Sequence, residues 1–257
     1  MNAYQELLDI ATRIGLYLLE TGAEIYRVED SIRAITTTYG VKEVDVFAVP
    51  TCLIVTINPP DSPSMTNTKR IYSRSTDLGR IYMLNTLSRD VVREKPSFEE
   101  IERRLNDIEQ GPSLSLFWQV CAYALAAFGF TLFFGGTWLD AICSLSMGAA
   151  IRLIGYGLDA FHTNSFFINT ICSAATAFLA VFWYRLGVAP HIDKMVIGAM
   201  MNLVPGVAIT NSVRDIIAGD LLAGQAKLTE ALLAATAMAL RSEERRGGKE
   251  CRSRWSP

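Results

Sequence analysis

Cysteine is sparse in this chain: five in 257 residues, with no CxxC pair. That excludes a disulfide scaffold. Histidine is scarcer still. His162 and His191 are the only two, and no HExxH occurs, so neither a metal site nor a cofactor is expected. GxGxxG after a strand, the P-loop and GxSxG are all missing, so no conventional enzyme signature is present. Basic excess is missing too. The net charge is −2, and nothing global points to nucleic acid. What the chain has in quantity is apolar side chains, half of the total, which excludes a disordered chain.

Charge is missing unevenly. Residues 1–113 hold 13 Lys/Arg and 17 Asp/Glu, whereas residues 114–240 hold only 5 and 6. The second stretch is too poor in charge for the surface of a soluble domain. Residues 241–257 hold 6 Lys/Arg and 3 Asp/Glu. This basic end interrupts an apolar helical pattern and opposes the positive-inside bias. It reads as a non-native or frame-shifted tail and is left out of the functional argument.

Residues 1–113 read as a small α+β domain. Leu7, Ala11, Ile14 and Leu18 share a helical face, and the acidic residues before Glu24 argue against a signal peptide. A second helix is expected from Ala23 to Tyr39, ending at Gly40. Val44, Val46 and Ala48 alternate with Asp45 and Phe47, Cys52–Ile57 is rich in β-branched residues, and Lys69–Ser73 is a third candidate strand. Leu78–Val92 returns to helix. Ser97-Phe98-Glu99-Glu100 is a capping box opening a charged helix that Gly111-Pro112 stops.

From Leu114 the pattern is that of lipid-embedded helices. Five spans are expected, at 114–134, 138–158, 166–186, 196–211 and 221–240. The architecture expected is therefore a membrane protein: a cytoplasmic α+β N-terminal domain, then an all-α bundle of five transmembrane helices. Arg103 and Arg104 before the first span favour a cytoplasmic N-domain in the inner membrane.

The densest polar constellation within the apolar half runs from Met201 to Asp215. Pro205-Gly206 should kink or break the helix. A broken helix offers its positive N-terminus to a carboxylate and free carbonyls to a cation. Asn202 accompanies the break, and Asn211, Arg214 and Asp215 share one face. Arg214 suits a carboxylate and Asp215 an ammonium. A packing kink with Arg214 and Asp215 at an interface explains the same residues equally well. Ionisable groups in or near spans are functional candidates by default. Asp220 and Asp140 are the proton-coupling candidates. Arg152 is a second cation, and Lys227 and Glu230, at i,i+3, are placed to neutralise each other. In the N-domain, Glu24, Arg27 and Glu29 read either as a solvated, salt-bridged face or as a surface docking on the membrane helices or a partner.

Two blocks carry a resemblance. LLETGAEIYRVE at Leu18–Glu29, and LVPG with NSVRD and GD between Leu203 and Asp220, resemble the threonine/serine exporter family of bacterial membrane proteins. The resemblance runs from Gln5 to about Leu240. It implies a secondary transporter subunit with no enzymatic activity, exporting threonine and serine or a dicarboxylate such as succinate, driven by protons. It also implies a small membrane partner supplying the second half, as in the family's two-chain members. The residues that match the membrane motif are Pro205, Gly206, Asn211, Arg214, Asp215 and Asp220. Homo-oligomer formation is left open. The rival reading is a membrane-anchored sensor without transport activity. Against it stands the polar, broken fourth span, because an anchor needs neither Pro-Gly nor Asn-Arg-Asp.

Overall fold

The computed structural model describes residues 3–72, 74–111, 114–159 and 165–236; the expected tail at 241–257 lies outside them. By its internal contacts the chain forms two compact units. One comprises Met1–Gly111 with Gly206–Glu230, the other Pro112–Pro205 with Ala231–Pro257.

In the first unit, α1 (Ala3–Glu20) and α2 (Ile25–Thr38) precede a three-stranded antiparallel meander, followed by α3 (Leu78–Glu94) and α4 (Phe98–Gln110). Strand β1 (Glu43–Val49) pairs with β2 (Cys52–Asn58), Val46 opposite Val55. Alternation sends Val46 and Ala48, and Leu53, Val55 and Ile57, into a core shared with Leu7, Ile14, Leu18, Ile32 and Ile35. The third strand is β3 (Met65–Arg70), not Lys69–Ser73. Its sequence, MTNTKR, is polar on both faces and gives no alternation to read; pairing with β2, from Met65–Ile57 to Arg70–Cys52, fixes its position. Asp77 caps α3 by accepting from Arg80 N at 2.9 Å. Ser97 caps α4 through Glu100 N, and the Glu100 carboxylate is taken by Arg104 and Arg103.

In the second unit, α5 (Leu116–Phe133), α6 (Trp138–Asp159) and α7 (Ser165–Arg185) contain windows long and apolar enough to cross a membrane. They agree with the first three expected spans. Their outward faces carry exposed Phe117, Leu125, Phe130, Leu139, Ile142 and Phe178, as lipid contact requires. Their inner faces meet at Ala127, Met147, Ile151, Cys172 and Ala180. Gly148 decides how closely α5 and α6 approach, because a Cβ there would strike the backbone of Tyr123 and Ala124.

The expected fourth stretch is not one helix. Helix α8 (Ile192–Met200) ends in turns at 201–203, and α9 (Gly206–Ala218) starts directly after Pro205. Proline at that point cannot donate, and its fixed φ suits the residue entering a new helix. A further helix, α10, covers residues 221–236.

Candidate functional site

Two polar sites stand out, and the first is built on backbone that the turn between two helices leaves unpaired. The first lies in the N-terminal unit, at the turn between α1 and α2. Gly22 there has φ +89°, a conformation that favours glycine. The Thr21 hydroxyl donates to Tyr17 O at 2.7 Å and closes the end of α1. Helix α2 then starts without a cap of its own, since Glu24 at the N-cap makes no side-chain cap bond.

Side chains from α9 and α10 fill these needs. Asn211 Nδ2 donates to Gly22 O at 3.2 Å, and Lys227 Nζ donates to Ala23 O at 3.1 Å. Asp215 Oδ1 accepts from Ile25 N at 3.1 Å, and its Oδ2 accepts from Lys227 at 2.8 Å. Arg214 pairs with Glu24, whose second oxygen takes Arg27 at 3.2 Å. Asp215 is fully buried, and so nearly is Glu24. A carboxylate at a helix N-terminus complements both the free amides and the positive end of the dipole. The two blocks that carry the family resemblance therefore meet residue against residue.

This arrangement revises several expectations. Glu24 is not on a solvated face. Lys227 and Glu230 do not neutralise each other: Lys227 turns to Asp215, and Glu230 binds Arg74 at 2.7 Å. Spacing of i,i+3 permits contact, but α9 offers Lys227 a buried partner. Glu29 faces the sheet, accepting from Ala48 N at 3.2 Å and Arg33 at 2.9 Å, and burial pushes its carboxyl above the usual range. Asp220 N donates to Asp215 O, and burial followed by the Asp215 charge raises the Asp220 carboxyl, with Lys227 and Arg33 opposing.

The second site lies among the apolar helices. A cleft of about 200 Å³ is lined by Tyr123, Arg152, Asn169, Cys172 and Leu203 among others. Arg152 Nε donates to Gln119 Oε1 at 2.6 Å, and its guanidinium lies 6.0 Å from the Tyr123 ring centre. Asn202 Nδ2 donates to Tyr123 O at 3.2 Å, fixing the turn before Pro205. Elsewhere in this unit Asp140 is fully buried and heavily bonded. It exchanges bonds with Thr137 in a capping box, and it also accepts from His191 N at 3.2 Å and contacts His191 Nδ1 at 2.9 Å. The sequence carries that box as Thr137-x-x-Asp140, a signal of the helix start. Gln119, Tyr123 and Asn169 carried none.

The family model for threonine/serine exporters matches residues 9–240. The chain belongs to the threonine/serine exporter family. That family is one of transporters, not enzymes, and membership agrees with the three apolar helices in placing the chain in a membrane. Among curated relatives, it is 22% identical over 230 residues to a Mycobacterium tuberculosis protein named a probable threonine/serine exporter, covering 89% of this chain and 43% of that protein. It is 24% identical over 237 residues to the threonine/serine exporter of Corynebacterium glutamicum, covering 88% and 48%. The chain thus spans about half the length of the curated relatives it matches. No solved structure matches it.

Proposed function

We propose that this family member is one subunit of a proton-driven secondary transporter that exports a small polar metabolite carrying a carboxylate. Threonine and serine are the first candidates, because the relatives are named for them; a dicarboxylate such as succinate is the second. A separate small membrane subunit supplies the rest of the transporter, and the N-terminal domain lies in the cytoplasm. The reading has five spans, with α8–α9 as a broken fourth and α10 within the fifth.

The observation that carries it is the polar cleft around Arg152. A guanidinium among membrane helices is costly, and a pathway for an anionic group is its usual reason. Arg152 with Asn169 and Asn202 would receive the substrate carboxylate next to the Pro205–Gly206 break. Arg214 and Asp215 already hold Glu24 and Lys227, so a substrate reaching Arg214 would displace the Glu24 carboxylate, which is the same chemical group. Asp220, with its raised carboxyl, is the proton-coupling residue in this reading. Asp140 accepts four hydrogen bonds from Thr137 and His191; those fit a strut better than a relay.

The test is efflux from cells preloaded with labelled threonine, serine or succinate, expressing this chain with its proposed partner and each alone. Efflux that needs both chains and stops with an uncoupler supports the reading and names the substrate. No efflux, with both chains stably in the membrane, rejects it in favour of the anchored sensor.

A further inference from the structure

The N-terminal unit holds a second cleft, apart from the network of α9. It measures about 310 Å³ and lies where the C-terminal ends of α1 and α4 face the chain entering α3. Its lining has carboxylates, Glu20 and Glu109, together with the guanidinium side chains of Arg74 and Arg80. Glu109 is satisfied by Arg13 at 2.7 Å. Arg74 is held by the exposed Glu230 at 2.7 Å, and Arg80 only loosely by Asp77 at 3.6 Å. Glu20 differs. Among the described residues no ion pair or hydrogen bond reaches its carboxylate, although it is half-buried. Burial and the Glu109 charge both act against its ionised form. Glu20 itself lacks a cation, and the carboxylates on Arg74 and Arg80 are exposed or distant.

We infer that this cleft binds a small zwitterion of the α-amino-acid class, its ammonium on Glu20 and its carboxylate on Arg80 and Arg74. The volume admits a molecule of that size. Charge-assisted bonds at both ends, with the arginine fork available to a carboxylate, give such a site its selectivity. Position gives it a consequence. Thr21 lines the cleft, and the next two residues, Gly22 and Ala23, are those whose carbonyls Asn211 and Lys227 hold. A ligand here bears on the turn that α9 and α10 grip, so its binding is coupled to that grip. The cleft chemistry does not depend on the exporter reading; the choice of threonine as probe does.

The test uses the full chain in lipid nanodiscs and hydrogen exchange read by mass spectrometry. Threonine is expected to slow exchange in residues 17–22 and 74–84. Threoninol, which lacks the carboxylate, and 2,3-dihydroxybutyrate, which lacks the amine, should not. Glu20→Gln, which removes a charge that burial already disfavours and so should fold, is expected to raise the threonine concentration needed by about tenfold or more, the loss of one charge-assisted bond. Arg80→Gln should do the same. The inference is overturned if threonine slows no exchange in these segments, or if the slowing survives both substitutions or appears equally with threoninol. Slowing confined to α5–α8 would also overturn it, because the amino acid would then sit among the apolar helices. Efflux separates the two readings: a wild-type chain that binds threonine in this cleft yet exports nothing with its partner leaves the site intact and removes the exporter.

Discussion

Asp215 on α9 caps a helix that begins 190 residues earlier in the chain: its Oδ1 accepts the Ile25 amide at 3.1 Å. The carboxylate is fully buried, and Lys227 neutralises it at 2.8 Å. The pair, together with Asn211 and Arg214, joins the two sequence blocks that carry the family resemblance.

Removing one partner of that pair strands a buried charge. Lys227→Met is expected to destabilise the N-terminal unit by about 3–5 kcal/mol. Lys227→Met combined with Asp215→Asn should recover part of the loss, since the amide can still accept from Ile25 N. Thermal unfolding of the detergent-solubilised single and double variants measures the coupling; additive losses would contradict it.

The Glu24–Arg214 pair separates two roles for Arg214. If its work is to hold Glu24, then Glu24→Arg and Arg214→Glu should each lower efflux, and the exchanged double variant should restore a good part of it. That restoration is the expected result. Failure of the exchange, with Arg214→Lys also inactive, would instead assign the guanidinium to substrate.

Arg152 should tolerate no replacement. Arg152→Lys keeps the charge but loses the planar fork and its bond to Gln119. Efflux should fall at least about tenfold, the equivalent of one charge-assisted bond, with membrane abundance unchanged on a blot. Normal efflux would remove the cleft from the transport reading.

Glu29 makes stability depend on pH. Burial raises its folded carboxyl above the unfolded value, so the folded state binds its proton more tightly. Its stabilising contribution is present below the unfolded value, near the usual carboxylate range, and is lost as pH rises through the raised one. Glu29→Gln should flatten the stability–pH profile in that window and leave the bond from Ala48 N in place. An unchanged slope in pH-dependent melting would refute the assignment.

Close packing of α5 on α6 rests on Gly148. Gly148→Val must push α6 away from the Tyr123 backbone. The expected cost is about 1–3 kcal/mol, as for other overpacked sites. Val at Gly157, where a Cβ meets nothing within 4 Å, should cost less; equal melting temperatures would refute the contrast.

Much of the fold is local, and local patterns are readable. The helical face of Leu7, Ile14 and Leu18, the alternation of Val44 to Ala48, the box at Ser97 and the three long apolar runs each follow from a pattern that one element imposes on itself. Strand β3 is not legible in this way, because a polar edge strand has no such spacing; its register comes from β2. The break at Pro205–Gly206 was legible because proline and glycine act on their own backbone.

The sequence by itself therefore determined the elements other than β3, the apolar character of α5, α6 and α7, and the polar motif after Met201. Only the tertiary structure decided the partners of that motif. Lys227 and Glu230 satisfy the same i,i+3 rule as a genuine pair, yet each bonds to a residue far away in the chain. Spacing reports which side chains share a face of one helix. Which buried charge that face meets depends on the backbone groups another element leaves unpaired, and the open start of α2 at Ile25 was one of them.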